Sequence, residues 1–287
     1  MAAVSHAALM RLGLASSAAM AEAWAAVMEM VSSEKMGEWD GATIAEAGGR
    51  PGGYLAMVDQ GADEVRRDVR GTQVVIRQNR SLLMAPGVTG SVVWDGGAAL
   101  PALVEELVDR GAVAALGDAA VWELGAGCGL AACGLLALGA KHVVATDQRD
   151  LLGVLEGNLR RNFGDAPERW TCGELDWDDA ETDIARLLAM ENAPPLPDLV
   201  VLSDTMFNEN AARPLVSTLK ALAKHGKRPL QALAVEEMRA ADVLSAFLEE
   251  AQSAGIVLWR VNKANVAHAA IREHPRCVLL LMSIPPA

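Results

Sequence analysis

Three glycines spaced two apart, Gly125, Gly127 and Gly129, separate an apolar run, Val121-Trp122-Glu123-Leu124, from an alanine- and leucine-rich stretch beginning at Leu130. A second apolar run, His142-Val143-Val144-Ala145-Thr146-Asp147, then ends on an acid. Strand, tight glycine turn, helix and a second strand closed by a carboxylate make the first half of a nucleotide-binding βαβ unit. Glycine lets a backbone turn sharply and approach a ligand where a Cβ would collide. An acid at the second strand's end can accept both hydroxyls of a ribose. Such a unit commits the chain to a parallel sheet covered by helices.

The glycine spacing narrows the ligand. A dinucleotide site uses G-x-G-x-x-G to seat a pyrophosphate on the helix N-terminus. Here the spacing is G-x-G-x-G, and Glu123 stands two residues before the first glycine. An acid there repels phosphate and suits positive charge. S-adenosylmethionine carries a ribose, an adenine, an ammonium and a sulfonium, and no phosphate. Gly125, Gly127, Glu123 and Asp147 together therefore point to that cofactor.

Composition bounds the partners. The chain has 287 residues, 52% of them hydrophobic, with a formal net charge of −12. An acidic chain without a basic stripe argues against a nucleic-acid partner, because phosphate contacts need clustered Lys and Arg. It suits a basic protein segment or a lysine side chain. Cys128, Cys133, Cys172 and Cys277 form no C-x-x-C and no Cys/His cluster at zinc spacing, so no metal site is expected and buried free thiols are. No apolar run reaches the ~18 residues of a membrane span. The first twenty residues hold one arginine and no acid, the balance of an organelle transit peptide. The alanine-rich pattern continues to Val31 without a cleavage signal, so a cytoplasmic protein with an N-terminal helix is the expectation.

Along the chain, residues 1–31 read as helix and 37–61 as glycine-marked loop. Residues 72–78 read as a strand, with 81–84 as its hairpin partner across Gln78-Asn79-Arg80. Residues 101–116 have helical period. Strands then read at 120–125, 142–147, 170–176, 198–203, 230–236, 256–262 and 276–284. Helices read at 129–139, 149–162, 181–191, 211–225 and 240–254. The expected fold is a doubly wound, Rossmann-like α/β sheet of seven strands, mostly parallel with a C-terminal antiparallel hairpin and helices on both faces. Residues 1–71 would form an N-terminal helical and loop extension and 72–287 the catalytic domain.

In such a sheet the ligand lies beyond the carboxyl ends of the strands. Asp176 and Trp177 follow the third of these strands, where an acid can accept from an adenine amino group and an indole can stack on its ring. Ser203, Asp204 and Phe207 follow the fourth. Ser203 is counted with the cofactor contacts, and Asp204 should face the methionine end and the incoming nucleophile. Trp94-Asp95 precedes the first core helix, where Trp94 either closes over the cofactor or anchors the core. His142 at a strand start and His225 at a helix end read as structural.

Val93-Trp94-Asp95, Glu123-Leu124-Gly125-Ala126-Gly127-Cys128-Gly129, Thr146-Asp147, Leu175-Asp176-Trp177 and Ser203-Asp204-Thr205-Met206-Phe207 occur in one order. Together they resemble the seven-β-strand class I protein-lysine methyltransferases that act on non-histone proteins (methyltransferase family 16), over roughly residues 72–284. The resemblance implies that Trp94, Glu123, Gly125, Gly127, Asp147 and Trp177 contact S-adenosylmethionine. It also implies that Asp204 begins the D-x-x-Y motif of the lysine channel. Phe207 stands where that family usually has tyrosine: its ring can offer a π-face to an ammonium but no hydroxyl. Asp204 and Phe207 are thus the candidate catalytic pair, and a lysine-bearing protein the expected partner. Val235-Glu236-Glu237-Met238-Arg239 resembles the family's acid-and-arginine segment. Two other readings fit the same residues, a methyltransferase of RNA or a small molecule, and a cofactor-binding scaffold without catalysis.

Overall fold

A computed structural model describes residues 31–35 and 57–286. Its strands are β1 (Val31–Lys35), β2 (Glu64–Val69), β3 (Thr72–Arg77), β4 (Ala120–Leu124), β5 (His142–Asp147), β6 (Trp170–Glu174), β7 (Leu199–Ser203), β8 (Leu230–Glu237), β9 (Val257–Val261) and β10 (Cys277–Ile284). Its helices are α1 (Asp95–Leu107), α2 (Val113–Asp118), α3 (Leu130–Ala137), α4 (Leu152–Phe163), α5 (Ala180–Leu188), α6 (Glu209–Ala223), α7 (Ala241–Ser253) and α8 (Ala269–Glu273). The helix expected over 1–31 falls, but for Val31, outside the described residues.

The main sheet has the order β1-β9-β10-β8-β7-β4-β5-β6. β6, β5, β4, β7 and β8 run parallel, and β10 is antiparallel to both β8 and β9. This is the expected seven-stranded sheet with its antiparallel C-terminal pair. β1 adds an eighth strand, antiparallel on the β9 edge. Chain order reverses at β4: β5 and β6 lie to one side of it, β7 and β8 to the other. The crevice beyond β4 and β7 is therefore where a doubly wound sheet binds its ligand.

Every residue of β4, β5, β8 and β10 is buried, as strands covered on both faces require. Successive side chains point to opposite faces, which divides the core in two. Val121, Val143, Val201, Leu233 and Leu281 meet α1, α3 and α4 on one face. Trp122, Val144, Val200, Ala232 and Leu280 meet α5, α6 and α7 on the other. Trp122 is buried on this second face and its indole N–H donates to the Pro195 carbonyl at 2.8 Å. His142 is structural as expected, bridging the Glu168 carbonyl at 3.1 Å and the Thr171 hydroxyl at 3.0 Å.

Two local expectations are corrected. Residues 81–84 are no strand: Arg80–Met84 form a 3₁₀ helix with no buried residue. β3 pairs instead with β2, in register from Val69↔Thr72 to Glu64↔Arg77. The tight turn there is carried by Arg70 and Gly71, both with positive φ (50° and 80°). The dipeptide's turn geometry outweighs the three polar residues after β3. The helix expected over 101–116 starts earlier, at Asp95, and is broken by a π turn over Val108–Ala112.

Asn158 on α4 ties the β2–β3 hairpin to the glycine loop. Its carboxamide accepts from the Arg77 amide at 2.9 Å and donates to the Arg77 and Cys128 carbonyls, each at 2.9 Å. Asn158→Ala leaves three backbone groups without partners. It should lower stability by about 2–4 kcal/mol, read from urea unfolding midpoints at unchanged m-value.

Candidate active site

The carboxyl ends of β4 to β7 surround a cavity of about 320 Å³. Its lining contains every sequence-predicted site residue: Trp94, Glu123, Gly125, Gly127, Asp147, Asp176, Trp177, Ser203, Asp204 and Phe207. It also contains five carboxylates, Glu123, Asp147, Asp176, Asp178 and Asp204, and no lysine, arginine or histidine among the described residues.

The glycine loop is shaped by its neighbours. Gly125, Gly127 and Gly129 all have positive φ, 68°, 56° and 83°. The Ala126 amide donates to the Thr146 carbonyl at 2.9 Å, and the Thr146 hydroxyl donates to the Glu123 carbonyl at 2.7 Å. A Cβ on Gly127 would stand 2.8 Å from the Gly90 carbonyl oxygen. The strap Thr89-Gly90-Ser91 thus lies backbone to backbone on the loop. Gly90 was not singled out from sequence, because only the fold brings residues 37 positions apart into this contact. Trp94 continues the strap, its indole N–H donating to the Thr89 carbonyl at 3.0 Å. Arg239 lies over the Trp94 ring, 4.1 Å from its centroid, a cation–π contact.

Asp147 stands at the end of β5. One oxygen accepts from the Gly127 amide and the other from the Gln148 amide, both at 2.7 Å. Burial pushes its pKa up to about 6 against these two amides. Beyond β6, Trp177 packs on the glycine loop, with a ring carbon 3.1 Å from where a Gly125 Cβ would be. Asp176 is exposed and its carboxylate caps the following turn at the Asp178 amide, 3.0 Å away.

Asp204 adopts a left-handed φ of 53°, a conformation Asp tolerates better than most residues. Its carboxylate is buried and accepts from the Gly96 amide at 2.6 Å and the Glu237 amide at 2.8 Å. Burial raises its pKa, opposed by the Glu237 amide and by Arg239. Asp204 therefore joins α1, β7 and β8 at the pocket wall. Phe207, three residues on, is 42% exposed at the rim.

Glu123 is the exception among these acids. It is fully buried, and neither carboxylate oxygen has a hydrogen-bond partner of good geometry. Burial pushes its pKa up to about 8; Asp147 adds to the rise, while the Ala132 amide and the Ser203 hydroxyl oppose it. An unpartnered buried carboxylate facing an all-acidic cavity fits a ligand that brings its own positive charge. S-adenosylmethionine meets that requirement, with its ammonium suited to Glu123 and its ribose hydroxyls to Asp147.

The sign of the resulting pH dependence follows. In the unfolded chain Glu123 ionises near its ordinary 4.5, whereas the folded, ligand-free protein keeps the proton to about 8. Stability of the ligand-free protein should fall across that window, and Glu123→Gln should raise the melting temperature more at pH 8 than at pH 5. A bound cation favours the ionised carboxylate, so S-adenosylmethionine affinity should rise from pH 6 to 8 with proton release. Glu123→Gln should bind more weakly and lose that slope, as calorimetry in buffers of different ionisation enthalpy will show. Gly127→Arg should fold, by far-UV circular dichroism, yet bind the cofactor about a hundredfold more weakly or worse. Its side chain must displace the strap or fill the cavity.

A family model described as lysine methyltransferase matches residues 83–254, more than half of the chain. Among solved structures, SMU.776 complexed with SAH aligns with a TM-score of 0.50 and 11% identity, over 77% of this chain and 56% of that one. The O-methyltransferase from Bacillus cereus in complex with SAH aligns at 0.43 and 11%, over 71% and 86%. The carbon methyltransferase CurJ aligns at 0.46 and 11%, over 67% and 55%. At 11% identity the likeness to SMU.776 is one of fold. The matched range spans every residue that lines the cavity: the chain belongs to the lysine methyltransferase family and is an S-adenosylmethionine-dependent methyltransferase.

Proposed function

We propose that this protein methylates a lysine side chain of a protein substrate, with Glu123, Asp147, Trp94, Trp177 and Ser203 holding the cofactor and Phe207 walling the acceptor channel. The observation that carries the reading is the acidic lining of the cavity: five carboxyl side chains and no cationic residue among the described lining. A phosphate-bearing acceptor would meet repulsion there, whereas a basic protein segment would be drawn to it. The family match supports the same acceptor.

When bound, S-adenosylmethionine supplies a methyl group on a positively charged sulfur, already an activated leaving group. The protein's part is to orient the acceptor, exclude water and present it as a neutral amine. Removal from water at an apolar rim lowers an ammonium's pKa, and Phe207 provides that rim. Asp204 gives both oxygens to backbone amides, so its contribution is to position the wall rather than to take the amine's proton.

Purified protein incubated with labelled S-adenosylmethionine and cell extract should label proteins, and acid hydrolysis should recover the label as methyl-lysine. Label in RNA or in a metabolite would replace lysine as the acceptor. Phe207→Tyr should be tolerated, whereas Phe207→Ala and Asp204→Ala should each cut transfer about tenfold or more, some 1.4 kcal/mol. Cofactor affinity should change little in all three. A wild type that binds cofactor but labels nothing, with labelling gained in Phe207→Tyr, would mark a non-catalytic scaffold.

A further inference from the structure

The segment between β7 and α6, Asp204 to Asn208, has no repeating backbone structure, yet Asp204, Thr205, Phe207 and Asn208 from it line the cavity. Something must hold it. Asp204 ties its start to Gly96 and Glu237, and Asn208 caps α6 at its end by accepting from the Asn210 amide at 3.0 Å. The middle is held from outside the cavity. Glu236, a buried residue of β8 that does not line the pocket, receives the Thr205 hydroxyl on one oxygen at 2.8 Å and the Met206 amide on the other at 2.9 Å.

We infer that Glu236 is a positioning residue: its side chain fixes Thr205 and Met206, and through them sets where the Phe207 ring stands at the acceptor rim. This rests on the assignment of that rim to the methyl acceptor. The geometry is bidentate, and both partners are on the two residues immediately before Phe207. Burial and the charge of Asp204 push the Glu236 pKa up to about 8. One oxygen accepts from the Met206 amide and the other is hydrogen-bonded to the Thr205 hydroxyl. A glutamine can do the same with its carbonyl and amide, whereas an alanine can do neither.

The inference separates two variants of the full-length protein. Glu236→Ala should speed hydrogen–deuterium exchange of a peptide covering residues 203–208 at least about tenfold and cut label transfer into extract by a similar factor. Glu236→Gln should stay within about threefold of wild type in both. The dissociation constant for S-adenosylhomocysteine should stay within about threefold for both variants. Unchanged exchange in Glu236→Ala overturns the inference whatever happens to transfer. So does a loss of cofactor affinity parallel to the loss of transfer, or a glutamine variant as impaired as alanine. If the wild type labels RNA or nothing, the lysine reading fails, and the exchange comparison still decides the role of Glu236.

Discussion

Backbone amides donated to buried carboxylates hold this site together. Asp147 gathers Gly127 and Gln148, Asp204 gathers Gly96 and Glu237, and Glu236 gathers Met206. Each acid lies within one residue of a strand's carboxyl end, and its amide partners lie in the turns after the strands (Gly127, Gln148, Met206), in the first turn of α1 (Gly96) or at the last residue of β8 (Glu237). Loops at strand ends cannot satisfy their own N–H groups, and an unsatisfied buried amide costs about as much as a lost hydrogen bond. A carboxylate offers two strong acceptor oxygens at one point, so a single side chain can fasten two separate segments. The cost is desolvation, visible in the raised pKa of all three acids.

Glu123 shows what happens when that compensation is withheld. It lies one residue before the end of β4, the strand from which the chain order reverses, is repelled by the charge of Asp147, and has no amide of good geometry. The core on both faces of the sheet stabilises the fold around this cost. The cavity consequently discriminates by charge before it discriminates by shape. Arg239, outside the lining, is committed to Trp94 and to Glu237, with which it pairs at 3.0 Å. A positive ligand is left as the natural partner for Glu123, in keeping with a sulfonium-bearing cofactor.

Much of this was legible from local pattern. Apolar runs such as Ala119-Ala120-Val121-Trp122, broken only by Glu123 before Leu124, and Leu199-Val200-Val201-Leu202 mark strands buried on both faces, and the glycines after the first mark the turn. The hairpin was misread because Arg70-Gly71 carries the turn in a place where nothing but two positive-φ residues signals it. Asp204 was read as facing the nucleophile. It lines the cavity, and its two amide partners come from α1, over 100 residues before it, and from β8, over 30 after it.

The sequence by itself determined the order of strands and helices, the glycine loop and the acids that end the strands, because these depend on neighbours within a few residues. Only the tertiary structure decided which acids are tethers and which one is unpaired. That distinction depends on amides delivered by distant segments: Gly96 to Asp204, Met206 to Glu236, and none of good geometry to Glu123. Hydrogen bonds between residues far apart in the chain leave no periodic trace in it, so their pattern exists only once the sheet has brought the strand ends together.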